Sequence, residues 1–77
     1  MTTEPLRQLL AEAFPDAREL EVVDRTGGGD HFHVTVASPR FEGLPLVEQH
    51  RLVYQALDAP WRSGAIHELR ITTKGTA

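Results

Sequence analysis

The sequence predicts a small α+β fold: a three-stranded mixed sheet with helices packed on one face. Three observations predict it. Apolar residues recur at helical spacing near the N-terminus and again over residues 46–57. Between these stretches, residues 31–38 alternate between apolar and polar side chains, the period of a half-buried strand. A glycine triplet, Gly27-Gly28-Gly29, separates that run from an earlier apolar one, as a hairpin requires. With 77 residues the chain is read as one domain over 1–77, with an ordered core from about 4 to 73. A domain of this size has room for one layer of sheet and one of helix.

Each element has its own justification. Leu6, Leu9, Leu10, Ala13 and Phe14 form one helical face. Pro15 stops that helix, because it has no N–H to donate and constrains the residue before it. Leu20 to Arg25 reads as the first strand, with Leu20 and Val22 on one face and Val23 breaking the alternation. Residues 26–30 are read as a flexible hairpin loop. In the second strand, His31 to Ser38, Phe32, Val34 and Val36 face the helices, while His31, His33 and Thr35 face solvent or a partner. Pro39 ends it, and Arg40 to Gly43 is a connector. Pro45 suits the first position of a helix whose apolar stripe is Leu46, His50, Val53 and Leu57. Ala59 to Ser63 makes one further turn, capped by Gly64. Leu69 and Ile71 alternate with Arg70 and Thr72 in the third strand, and Lys74 to Ala77 is expected to fray. Strands 1 and 2 form an antiparallel hairpin. Strand 3 returns after a helical crossover, so it lies parallel to strand 2 with a right-handed connection.

Composition narrows the function classes. The net charge is −3, and neither half of the chain is basic, which disfavours a general polyanion binder. The N-terminus lacks the basic start and apolar stretch of a signal peptide, and no apolar run approaches membrane-spanning length. There is no Cys. The protein is therefore read as cytoplasmic, away from membranes, and unable to hold a zinc ribbon or a self-contained Cys-ligated cluster. The glycine triplet lacks the Lys-Ser/Thr sequel of a phosphate loop, and Ser38 and Ser63 sit in no nucleophile motif. No enzyme is predicted.

Four histidines are the main chemical resource. His50 lies on the apolar stripe and reads as a structural tie from helix to sheet. His33 reads as merely exposed. His31 sits at the exit of the glycine loop and His67 at the entry to the third strand. Parallel pairing would bring both to one edge of the domain. Two imidazoles alone do not complete a four-ligand zinc or iron–sulfur site, so the remaining ligands would have to come from a partner. Solvated surface charge is the simplest reading of Glu48 and Glu68.

Three segments, Gly29-Asp30-His31-Phe32-His33-Val34-Thr35-Val36-Ala37-Ser38-Pro39-Arg40-Phe41-Glu42-Gly43, His50-Arg51-Leu52-Val53-Tyr54-Gln55-Ala56-Leu57 and Ile66-His67-Glu68-Leu69-Arg70-Ile71, resemble the BolA family in order and spacing. The resemblance covers nearly the whole chain and implies a class-II KH-like αββααβ fold. It implies a non-catalytic adaptor that binds a monothiol glutaredoxin and shares a 2Fe–2S cluster with it and its glutathione, in cluster trafficking or iron and redox regulation. The family's characteristic ligand before the last strand is matched by His67. The second ligand usually comes from the loop between the first two strands. Residues 26–30 hold neither Cys nor His, and His31 is the nearest candidate. The free protein is expected to be a monomer or weak homodimer. The resemblance also carries an alternative, a KH-like, DNA-binding transcriptional regulator of the stress response, although residues 58–64 lack the GXXG clamp of KH domains.

Overall fold

The computed structural model describes residues 1–76. Its elements are α1 (Thr3–Ala13), β1 (Glu19–Asp24), β2 (His31–Ser38), a 3-10 turn (Pro39–Phe41), α2 (Leu46–Ala56), α3 (Asp58–Arg62) and β3 (Glu68–Gly75). The sheet order is β1-β2-β3. β1 pairs antiparallel with β2, and β3 pairs parallel with β2. This is the mixed three-stranded α+β sheet that the sequence predicts.

The helices close one face. Leu6, Leu10 and Phe14 from α1 and its end meet Phe32, Val34 and Val36 of β2, with Val53, Leu57 and Ile66 completing a buried cluster. Leu20, Val22, Leu69 and Ile71 pack around it, half-buried, on the flanking strands. Fully burying an apolar side chain of this size contributes about 1.5–3 kcal/mol, so this face dominates the stability of the domain.

Several expectations are corrected. Phe41, read as connector, is wholly buried, with its ring 5.2 Å from that of Phe14. The 3-10 turn folds it inward: Ser38 Oγ accepts from the Arg40 N–H at 3.1 Å and starts the turn. Arg40 reaches back, donating to the Ala13 carbonyl at 2.6 Å and lying over the Phe14 ring. It thus satisfies a carbonyl left free at the end of α1. Leu46 is not on the buried stripe; it is 60% exposed, and Pro45 is the N-cap rather than the first helical residue. Val53 and Leu57 carry that face, with Leu52 and Ala56 half-buried beside them.

His50 is half-buried, but among the described residues its ring makes no hydrogen bond. The polar tie from α2 to the sheet is its neighbour Gln49. Its Oε1 accepts from Thr73 Oγ1 at 2.6 Å, and its Nε2 donates to the Leu44 carbonyl at 2.8 Å. Val23 does not break the alternation of β1. It shares the open face with Glu19 and Glu21. The expected fray from Lys74 does not occur at its start, because β2 continues to Ser38 and offers pairing partners as far as Gly75. Ala77 lies outside the described residues.

Candidate functional site

The parallel register aligns His31 with Glu68, so His67 stands beside Asp30 at the end of the sheet. Main-chain bonds fix this meeting. The N–H groups of His67 and Glu68 both donate to the Asp30 carbonyl, at 2.7 and 3.2 Å. The Arg25 N–H donates to the His31 carbonyl at 2.8 Å on the other side. His31 and His67 therefore share one edge, as parallel pairing predicts, with ring centroids 6.3 Å apart.

Asp30 joins them. Its Oδ1 is 2.8 Å from His31 Nδ1, and its Oδ2 is 3.3 Å from His67 Nδ1. Hydrogen bonding to His31 holds the Asp30 carboxyl below the usual carboxylate range, helped by any positive charge on either imidazole. An ionised carboxylate only accepts, so the His31 contact puts that ring's proton on Nδ1, whereas the longer His67 approach is an electrostatic contact without hydrogen-bond geometry. A neutral ring then keeps its lone pair on Nε2. A carboxylate behind a ligating histidine is the usual arrangement for aiming such a lone pair.

The two Nε2 atoms differ in their surroundings. The His67 side chain is 64% exposed, whereas that of His31 is 33% exposed, with its Nε2 3.6 Å from Glu68 Oε2. Glu68 is no idle surface charge. It also meets Arg25 NH1 at 3.1 Å and Arg70 Nε at 3.5 Å. His33 lies further along the open face, with Nε2 2.8 Å from Thr72 Oγ1, and does not join the cluster. His50 is on α2, away from it. Among the described residues, no three His, Cys, Asp or Glu side chains converge on a point that would hold a metal ion. The cluster offers two imidazoles, fewer than the four ligands of a zinc or iron–sulfur site.

The glycine loop beside the site is held rather than floppy. Asp24 accepts from the N–H groups of Thr26, Gly27 and Gly29 at 3.3, 2.9 and 3.0 Å. These donors are thus used internally rather than offered to an anion. At Gly29, with φ +77°, a Cβ would lie 2.8 Å from the Met1 nitrogen, so only glycine fits. The Met1 ammonium donates to the Gly29 carbonyl at 2.9 Å.

Asp30 is the functional candidate that sequence reading missed. The available signal was an acid immediately before His31 at the loop exit. The turn from α2 to α3 is Leu57 alone, which leaves no room there for a GXXG loop.

A profile of the family described as BolA-like protein matches residues 10–77. The chain belongs to the BolA-like family. It is 47% identical to Protein BOLA2 of Arabidopsis thaliana over 53 residues, which cover 68% of this chain and 55% of that protein. The chain spans less than two thirds of the length of most curated BolA-like relatives it matches. Its fold is similar to that of BolA1 from Arabidopsis thaliana, with TM-score 0.85 and 32% identity over 95% of this chain and 89% of that one. The BolA domain of SufE1 from the same plant is also similar, with TM-score 0.82 and 35% identity over 92% and 87%. Among the described residues no helix is long and apolar enough to cross a membrane.

Proposed function

We propose that this BolA-like protein is an adaptor that binds a monothiol glutaredoxin and shares a 2Fe–2S cluster with it. His67 is the primary ligand from this chain and His31 the second. The observation that carries the reading is the Asp30 carboxylate between the two rings, hydrogen-bonded to His31 Nδ1 at 2.8 Å and 3.3 Å from His67 Nδ1. The His67 side chain is the more exposed of the two at the sheet edge, 64% against 33% for His31. The cluster is cargo held between two proteins, and glutaredoxin and glutathione thiolates supply the remaining ligands. With no Cys in this chain, the cluster would carry imidazole on one side and thiolate on the other. A structural neighbour occurring as the BolA domain of a larger protein, SufE1, supports a module that works beside a partner. Ligation needs neutral imidazole, so cluster binding weakens on acidification.

The test is reconstitution with a monothiol glutaredoxin, glutathione and iron–sulfur donors, followed by visible absorption and circular dichroism. His67→Ala should abolish or reshape the visible dichroism while leaving the fold intact. His31→Ala should shift the spectrum less. His50→Ala should leave it as in the unaltered chain. An unchanged spectrum for His67→Ala, or no complex with glutaredoxin, would refute the reading.

A further inference from the structure

β3 is a terminal strand of the sheet. Which of its main-chain groups remain unpaired follows from the ladder. Glu68 donates to the Asp30 carbonyl and Thr76 to the Ser38 carbonyl, so the even-numbered residues of β3 bond toward β2. In a parallel pair, bonding residues alternate with residues pointing away. The N–H and C=O groups of Leu69, Ile71 and Thr73 therefore face outward along the free edge. Such an edge is a template for another strand.

Its side chains show which strand fits. On the open face β3 carries Glu68, Arg70, Thr72 and Lys74 in sequence. A second copy running antiparallel can pair its outward-facing residues in three central registers. With Leu69 opposite Ile71, Arg70 faces Arg70. With Ile71 opposite Thr73, Arg70 faces Lys74. Both place like charges directly opposite, which is destabilising. With Ile71 opposite Ile71, Glu68 faces Lys74 on both sides of the two-fold axis, and Arg70 faces Thr72. On the core face this register sets Leu69 opposite Thr73. It alone among the three is charge-complementary, and it closes as an isologous pair.

We propose that two copies of this chain associate through antiparallel β3 edges centred on Ile71, making one six-stranded sheet. Charged residues on an edge usually deter foreign strands. Here their order deters shifted registers and admits a second copy. Glu68 and Lys74 already contact Arg25 and Glu19 within one chain, and the second copy extends each pair into a network. An interface of two edge strands buries less than the ~1,000 Å² of a stable one, so the association is weak and concentration-dependent. This inference is independent of the iron–sulfur reading.

Position 72 distinguishes the registers. In the Ile71-centred dimer, Thr72→Glu faces Arg70 of the other copy and should tighten self-association about tenfold, whereas Thr72→Lys should weaken it about tenfold. Both variants lose the same hydrogen bond to His33, so that loss cannot produce opposite effects. Sedimentation equilibrium of the apo chain from micromolar to millimolar concentration gives the constants. Contacts between Arg70 Hα of one copy and Thr72 Hα of the other, observed by NMR in a mixed-label sample, should accompany it. Thermal melts confirm that each variant is folded. A monomer throughout the range would overturn the proposal. Weakening by both variants would assign the register that pairs Thr72 with itself, and the reverse order would assign Glu68 opposite Thr72. Either result would overturn the Ile71-centred dimer.

Discussion

One strand, β2, presents two faces built on different physics. Phe32, Val34 and Val36 are wholly buried against the helices. On the other face no helix covers His31, His33, Thr35 and Ala37, yet Thr35 and Ala37 are buried. Cross-strand rows explain the second case. Ala37 lies between Glu19 and Lys74, whose side chains meet at 3.3 Å across it. Thr35 lies between Glu21 and Thr72, and His31 is flanked by Glu68, which reaches Arg25. The core face is held by non-directional burial. The open face is held by lateral pairs that depend on register and charge. Stability therefore concentrates on one face, and the adjustable chemistry lies on the other.

The largest expected break is on the core side. A chain of this length has about 4–12 kcal/mol of total stability. Phe41→Ala removes a wholly buried ring and should cost about 3–5 kcal/mol, a large share of that total. Val34→Ala should cost about 1–3 kcal/mol. Urea denaturation of both variants checks this, and an unchanged midpoint for Val34→Ala would reverse the assigned facing of the sheet.

Gln49 and His50 sharpen the comparison at the boundary of the core. Gln49→Ala removes the hydrogen bond that Thr73 donates and should cost about 0.5–1.5 kcal/mol. His50→Ala should cost less, because no hydrogen bond of its ring is lost. Equal losses in the same denaturation series would make the imidazole an equal tie.

The smallest effect belongs to the open edge and is a pH dependence. The folded-state pKa of Asp30 is lowered, chiefly by its hydrogen bond to His31. The unfolded chain therefore binds a proton there first on acidification. The contribution of Asp30 is complete above the ordinary carboxyl range near ~3.9, and it is lost as pH falls through the lower folded value. Asp30→Asn should lose less stability than the unaltered chain between about pH 5 and pH 3, where only the latter has this carboxylate to protonate. Val34→Ala should show the unaltered acid slope. Thermal melts across that range measure both, and identical slopes for Asp30→Asn and the unaltered chain would remove Asp30 from the acid response.

Sequence alone determined the strands, the buried face of α1 and the pairing directions, because burial against one layer writes a period into the chain. Phe32-Val34-Val36 and Leu6-Leu10-Phe14 are such periods, and a helical crossover between neighbouring strands favours the parallel return of β3. His31 and His67 could be assigned to one edge for the same reason, since parallel strands start at the same end. Phe41 was not legible, because a three-residue turn carries no period and only Ser38 and Arg40 together fold it inward. The choice of Gln49 over His50 was equally hidden, since adjacent helical positions differ by a rotation that only packing resolves. Asp30 and Glu68 became part of a site only through tertiary structure. Asp30 hydrogen-bonds its neighbour His31, but His67 lies 37 residues away and Arg25 is 43 residues from Glu68, and register sets those distances.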